Sequence, residues 1–228
     1  MSRPSRFTYV MEAIVRCGPP SLRRGSAVDP SEEMELLCRG GFDAGDEPAW
    51  ERWYANISTP VLTAVQNGVK RVAINLDTVH ILNPKIADSI ERTVSGMPVD
   101  IEWTENVNPR CCREEDIKRA AARLVAWRDN FGFRISIDDV GAGHDGLGRV
   151  CLTNAHRVKI AGPLFHQWRT SEKHAMLLRK MVDLYRSGGA EVVVEWVETL
   201  EDVSRAEWMG ATHTQGRIWQ PHDIYGII

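Results

Sequence analysis

Short apolar runs alternate along this chain with longer stretches in which apolar residues recur at helical spacing. The length and β-branched content of the runs predict strands. These runs lie at residues 9–15, 34–37, 72–76, 101–105, 133–137, 157–160, 192–195 and 212–218. The first run is short, is interrupted by Glu12 and is followed by no cleavage pattern of small residues. It therefore predicts a strand, not a signal peptide or a membrane span.

Apolar residues three or four positions apart predict a helix in most of the intervening stretches. The clearest start is Asn83-Pro84, which supplies a cap and a proline in the first turn. Pro60 is expected to kink or split the helix that contains it. The predicted helices lie at residues 50–65, 84–95, 117–131, 177–185 and 199–206.

Strand and helix alternate about eight times, in units of roughly 20 to 40 residues, which favours a mainly parallel sheet. Both an open doubly wound sheet and a closed barrel satisfy this alternation. Acidic residues at the carboxyl ends of many strands favour the barrel, because a (β/α)₈ barrel gathers its active site there. An open sheet draws on fewer strands, near its switch point. We expect an α/β fold, a single (β/α)₈ TIM-like barrel domain spanning residues 1–228.

Six carboxylates and one asparagine stand at or just beyond the ends of these runs. An acid is costly where a strand should bury β-branched side chains, unless a positive group neutralises it. Taken singly, each has an ordinary alternative, such as an aspartate turn or an exposed strand end. Five segments that end this way indicate that the carboxylates converge, and a divalent metal is the usual reason. The residues are Glu35, Asn75, Glu102, Glu105, Asp138, Asp139 and Glu195.

Lys159 and Gln215 lie in two of the later runs. On its own, Lys159 would be expected to extend to the surface, and Gln215 would be part of a turn. Inside a carboxylate cluster, Lys159 would instead balance negative charge or orient a water or a phosphate.

Charge and cysteine content limit the partners and the compartment. The net charge is −3 and the pI is about 6.2, so neither a DNA or RNA polymer nor an anionic membrane is an expected partner. The cysteines number five and form neither a disulfide framework nor a zinc spacing. They predict a reducing, cytoplasmic compartment.

The segments that carry these residues resemble, in order, the motifs of the EAL domain family, the bacterial cyclic-di-GMP phosphodiesterases. The resemblance covers essentially the whole chain. In one-letter code the segments are ELLCR from Glu35, INLD from Ile74, EWTE from Glu102, DDVGAGHDGL from Asp138, VKI from Val158, EWVET from Glu195 and QG from Gln215.

The resemblance implies a role for each of these residues. Lys159 and Gln215 would complete the catalytic surroundings, and Arg39 would contact a substrate phosphate. Glu105 would secure the loop at residues 140–147, which in the family supports metal binding and dimer contacts and so favours a homodimer. The metal ligands would be Glu35, Asn75, Glu102, Asp138, Asp139 and Glu195.

Several positions depart from the family pattern, among them Leu36 in place of an alanine. Glu12 replaces a glutamine that contacts substrate, and Trp196 replaces a glycine close to the pocket. Ala161 and Arg217 replace an aspartate and a tyrosine. Arg39, Glu12 and Trp196 are therefore the candidate substrate-binding residues.

The hypothesis that follows is hydrolysis of one phosphodiester bond of cyclic-di-GMP to linear pGpG, in bacterial second-messenger signalling. Two Mg²⁺ or Mn²⁺ ions would share Asp138 and activate a water that Lys159 helps to place. Oxygen ligands suit these hard ions better than zinc. Two alternatives stay open: a catalytically weak or inactive domain that binds cyclic-di-GMP or a protein partner as a regulator, and a different metal-dependent barrel enzyme with a sugar or acid substrate.

Overall fold

The strands close into a barrel in the computed structural model, which describes residues 7–18, 33–39, 45–104, 113–142, 146–222 and 224–227. From the second strand to the eighth, neighbours in sequence are parallel neighbours in the sheet. The described strands are β1 Thr8–Arg16, β2 Glu33–Cys38, β3 Arg71–Leu76, β4 Val99–Trp103, β5 Arg134–Val140, β6 Arg157–Ile160, β7 Glu191–Val194, β8 His213–Gln215 and β9 Ile224–Ile227.

The first strand closes the ring. β1 pairs antiparallel with both β2 and β8, and β9 adds a further antiparallel strand along β1. The expected closed barrel is confirmed, with one difference: its first strand runs against the other seven.

Helices cover the outside of the strands, and their starts follow the predicted caps. The Asn83 side chain accepts hydrogen bonds from the backbone N–H groups of Lys85 and Ile86, with Pro84 in the first turn. The stretch containing Pro60 is split as expected, and Pro60 lies in the first turn of the second piece. The described helices are α1 Glu47–Ala55, α2 Ser58–Gln66, α3 Thr78–Leu82, α4 Pro84–Thr93, α5 Glu114–Phe131, α6 Gly146–Thr153, α7 Gly162–Trp168, α8 Glu172–Ser187, α9 Leu200–Trp208 and a 3₁₀ helix at Arg217–His222.

Side chains alternate between the helical layer and the barrel interior. In β5, Ile135 and Ile137 join the main apolar core, whereas Ser136 and Asp138 are buried polar residues at the alternate positions. Each buried isoleucine contributes about 1.5–3 kcal/mol relative to an exposed one. This burial fixes the register, because a slip by one residue would exchange the two faces. None of the described helices is both long and apolar enough to cross a membrane.

The barrel interior is layered. A small apolar cluster of Ile14, Ala73 and Val193 lies in the middle of the strands, apart from the main core. Charged residues lie at the amino ends of most strands. Of the predicted acids, Glu102 and Asp138 lie in the carboxyl halves of their strands and Glu195 lies just beyond β7, whereas Glu35 lies inside β2 and not at its end as predicted. The apolar layer therefore separates two polar ends, in the manner of barrels whose interiors are packed with side chains.

Candidate metal and catalytic centre

Four carboxylates, carried on or just beyond four different strands, surround the ammonium of Lys159. The Lys159 Nζ atom lies 2.9 Å from Glu35 Oε2, 3.0 Å from Glu102 Oε2, 3.1 Å from Asp138 Oδ1 and 2.9 Å from Glu195 Oε1. Lys159 is 1% exposed. The predicted convergence of these acids is therefore present in the fold, because β2, β4, β5 and β7 bring them to the Lys159 side chain on β6.

Two amides fix the position of Glu35. Asn75 Nδ2 donates to Glu35 Oε1 at 2.6 Å, and Gln215 Nε2 donates to Glu35 Oε2 at 2.6 Å. Because each amide donates through its nitrogen, the oxygen of each remains an acceptor. Asn75 thus reaches the cluster from β3, and Gln215 reaches it from β8.

The cluster holds more carboxyl groups than one ammonium can balance. Burial raises the pKa of Glu102 well above its usual value, and the neighbouring Glu35 charge adds to this effect. Burial likewise raises the pKa of Glu195 to about 8, although Lys159 opposes it. Burial also acts to raise the pKa of Glu35, but the Lys159 charge and the hydrogen bonds from Gln215 and Asn75 outweigh it and lower the pKa.

The donor set fits hard divalent cations. Glu102 Oε1 and Gln215 Oε1 are buried, and neither has a hydrogen-bond partner among the described residues. A buried carboxylate oxygen without a partner is costly, and a cation would remove that cost. Carboxylate and amide oxygens are the ligands that Mg²⁺ and related ions prefer. The residues present therefore fit a divalent ion.

Of two further predicted residues, the structure describes Asp139 but not Glu105. Asp139 is half-buried beside Asp138 at the end of β5, with a left-handed φ of 52°. Glu105 lies outside the described residues, as does part of the loop at residues 140–147.

Arg39 and Glu12 form an ion pair of their own. Arg39 Nη2 lies 3.2 Å from Glu12 Oε1, and the two side chains are 54% and 33% exposed. In the sheet, Glu12 is the direct partner of Glu35. The candidate phosphate-binding arginine is thus held by an acid one strand away from the cluster.

Trp196 follows Glu195 directly and lies at the rim. Its side chain is half-exposed and lies over Gly162, at the start of α7. Its ring centroid is 6.1 Å from that of His166.

Sequence reasoning missed two residues that hold the strand ends. The buried Arg149 of α6 donates to the backbone oxygens of Trp103 at 2.9 Å and Asp138 at 3.3 Å. The Tyr54 hydroxyl donates to the backbone oxygen of Asn75 at 2.6 Å. The available signal for Arg149 was a single charge within the apolar stretch at residues 146–153.

A cavity of about 230 Å³ adjoins Asn75. Its walls include Leu37, Trp50, Asp77 and His80. It therefore has an apolar wall and one carboxylate, that of Asp77, and it adjoins the cluster at Asn75.

A second acidic cluster lies at the opposite end of the barrel. One ligand atom each from Glu33, Glu191 and His213 lies within 4.8 Å of the others. Arg157 is hydrogen-bonded to both Glu33 and Glu191 and is 1% exposed. Because Arg134 also pairs with Glu191, two guanidinium groups balance the two acids, and we assign this cluster to the packing of the barrel interior.

Comparisons with known proteins agree with this arrangement. A family model described as EAL domain matches residues 51–222. The chain is 29% identical, over 153 residues, to the "Probable cyclic di-GMP phosphodiesterase PdeA" of Escherichia coli (strain K12). That match covers 64% of this chain but only 20% of the relative's length.

Solved structures share the fold. A structure described as "PaMucR Phosphodiesterase, c-di-GMP complex" gives a TM-score of 0.71 at 19% identity, covering 94% of this chain and 90% of that one. The Klebsiella pneumoniae BlrP1 calcium/cy-diGMP complex gives a TM-score of 0.66 at 23% identity, covering 92% and 54%.

Proposed function

The chain belongs to the EAL domain family, and on that premise we propose that it hydrolyses cyclic-di-GMP. One water is consumed, one P–O bond to a ribose oxygen breaks, and linear pGpG is the product. The relatives support this choice of substrate, since a 29% identical protein is named as a probable cyclic di-GMP phosphodiesterase.

The observation that carries the proposal is the excess of buried carboxyl groups over ammonium groups around Lys159. Four carboxylates face one ammonium within 3.1 Å, and Glu102 Oε1 has no hydrogen-bond partner among the described residues. A structural ion pair would match charges one to one, because unbalanced buried charge destabilises the fold. This excess is typical of a site that holds cations.

Each residue of the centre has a defined task in the proposal. Glu35, Asn75, Glu102, Asp138, Asp139 and Glu195 would hold two Mg²⁺ or Mn²⁺ ions, which when bound polarise the phosphate and lower the pKa of a water. Lys159 holds the carboxylates together and so helps to place the attacking water. Gln215 and Asn75 hold Glu35 in place, and Arg39 binds a phosphate oxygen of the substrate. Glu105 secures the neighbouring loop.

The decisive measurement is Mn²⁺- or Mg²⁺-dependent formation of pGpG, followed by chromatography. Glu35→Ala and Asp138→Ala should each lower turnover at least ~10²-fold, because loss of a ligand removes an ion. Glu201→Ala, at an exposed position in the first turn of α9, is the matched control and should keep full turnover. Wild-type rates in either site variant would refute the proposal.

Ion binding can be measured separately from turnover, through its effect on stability. Mn²⁺ at a hundred times its Kd should stabilise the wild-type protein by about 2.7 kcal/mol, measured as a rise in Tm. Asp138→Ala should lose most of this rise, and Glu201→Ala should keep it.

Binding without turnover is the second candidate, and the Arg39–Glu12 pair favours it. Glu12 engages Arg39 at 3.2 Å, so the arginine is less available to align a bound phosphate for attack. Calorimetric binding of cyclic-di-GMP with Ca²⁺, together with no pGpG in Mg²⁺ or Mn²⁺, would select this regulatory role.

A further inference from the structure

Trp196 occupies a backbone conformation that disfavours large side chains. Its φ is 57°, in the left-handed region that glycine adopts at no steric cost. A bulky residue persists there only when its surroundings impose it, and such residues cluster at functional sites. Trp196 is also 56% exposed, so burial of the ring does not fully explain the strain.

One flat face of the ring rests on Gly162. A Cβ atom built on Gly162 would lie 2.1, 2.3 and 2.5 Å from the Cγ, Cδ2 and Cδ1 atoms of Trp196. Nearly equal distances to three adjoining ring atoms mean that the glycine faces the plane of the ring and not its edge. A glycine is required at 162, because any Cβ would collide with the indole.

His166 holds the same residue from the side. Its Nε2–H donates to the backbone oxygen of Trp196 at 2.7 Å. Its ring meets the indole edge to face, at an interplanar angle of 79°. The indole is therefore supported on one face and at its backbone, while more than half of its surface is open to solvent.

The backbone of Trp196 adjoins the carboxylate centre through its chain neighbour Glu195. Glu195, the preceding residue, lies 2.9 Å from Lys159 Nζ, and Gly162 is three residues after Lys159 in the chain. In a nucleotide, one ribose separates a base from its phosphate. A ring one residue away from the centre is thus placed to contact the base while the phosphate is at the centre.

We propose that Trp196 is a stacking platform for one purine base of the nucleotide, an inference that rests on the proposed function. The indole presents a flat π-surface with no hydrogen-bonding group on its face, and stacking of this kind accepts any base. Trp196 therefore strengthens binding of purine dinucleotides in general and does not distinguish guanine from adenine.

The test is calorimetric binding of cyclic-di-GMP and cyclic-di-AMP in the presence of Ca²⁺. Trp196→Ala should weaken both by about tenfold or more, and by the same factor. Trp196→Phe, which keeps an aromatic face, should retain most of the affinity. Trp208→Ala is the matched control, since Trp208 is a similarly exposed tryptophan (45%) on α9, and it should bind as the wild type does.

A folding defect is recognised by the Mn²⁺-induced rise in Tm, which Trp196→Ala should retain. Unchanged affinity in Trp196→Ala, with the wild-type protein producing pGpG, would overturn the platform and leave the proposed hydrolase standing. Loss of affinity for only one of the two dinucleotides would overturn the claim of base-independent stacking. No nucleotide binding by the wild-type protein would overturn both proposals.

Discussion

Glu12 controls the availability of Arg39. The pair is partly exposed, with 54% of the Arg39 side chain in solvent, and such pairs contribute about 0–1 kcal/mol. A phosphate dianion or diester can therefore compete for the guanidinium, but it must do so beside a second negative charge. Glu12 is also the direct partner of Glu35 in the strand register.

Glu12→Gln should improve substrate binding. Removing the charge frees Arg39, so KM for cyclic-di-GMP should fall by about two- to fivefold while kcat changes little, within the strength of an exposed pair. Steady-state kinetics at two salt concentrations will measure this. Glu51→Gln, which removes a surface pair with Lys85 at 2.9 Å, is the control. An unchanged or higher KM would show that Glu12 does not compete with phosphate.

For single residues, the sequence predicted which side chains come together, but not which contacts they make. Acids at strand ends implied convergence, and the lysine in β6 was expected among them. That Lys159 would touch four carboxylates and that Glu12 would hold Arg39 depends on strand register across the barrel, which residue type does not determine. The roles of these residues in metal binding and catalysis stay predictions.

Among the elements, α6 secures the ends of β4 and β5. Arg149 is 4% exposed and its guanidinium donates to backbone oxygens on both strands. It also lies over the Trp103 ring, 5.4 Å from its centroid. Because Glu102 and Asp138 are on these two strands, a change in the strand ends moves both carboxylates.

Arg149→Gln should therefore impair the centre from outside it. We expect turnover to fall about 10–100-fold, as is usual when groups supporting metal ligands are lost, and the Mn²⁺ concentration for half-maximal activity to rise. Arg186→Gln is the control, since Arg186 donates to one backbone oxygen on the surface, at 3.2 Å. A variant that loses stability but keeps its Mn²⁺ dependence would show that Arg149 is structural only.

The eight barrel strands and six of the nine described α-helices were predicted, whereas α3, α6 and α7 were not. The caps at Asn83 and Thr199 define α4 and α9 because side-chain capping is a local interaction. The antiparallel β1 was not predictable, since a strand's direction depends on partners at the far end of the chain, in β8 and β9. Exposure within helices also escaped prediction: Leu177 and Leu184 of α8 are 51% and 56% exposed, although both fit the apolar spacing.

In the whole molecule, the amino end of the barrel is closed by buried charge. Arg157 bridges Glu33 and Glu191 and lies 3.6 Å from Asp100. The strong pairing of Glu191 shows in its pKa: burial acts to raise it, but the hydrogen bond from Arg134 and the Arg157 charge lower it to about 2. Such a network holds its geometry only while each partner keeps its charge.

His213 makes this end of the barrel sensitive to acid. Burial lowers the pKa of His213 to about 4, the Arg157 charge acts in the same direction, and Glu33 and Glu191 oppose both. Between pH 4 and 6.5 the unfolded chain therefore binds a proton that the folded chain does not. The stability due to this difference is complete above pH 6.5, is lost as the pH falls towards 4, and amounts to at most about 3 kcal/mol.

The free energy of unfolding of His213→Gln should consequently fall less between pH 7 and pH 5 than that of the wild type. Urea unfolding at pH 7 and at pH 5 gives this fall in the free energy of unfolding for each protein. Glu195, whose pKa is raised from 4.5 to about 8, acts with the opposite sign over the whole of this range, but it does so in both proteins and cancels in the comparison. His174→Gln, at an exposed position on α8, should show the same fall in the free energy of unfolding as the wild type. If His213→Gln matched it too, the acid sensitivity would have to arise from other groups, because His213 would then gain its proton equally in the folded and unfolded chains.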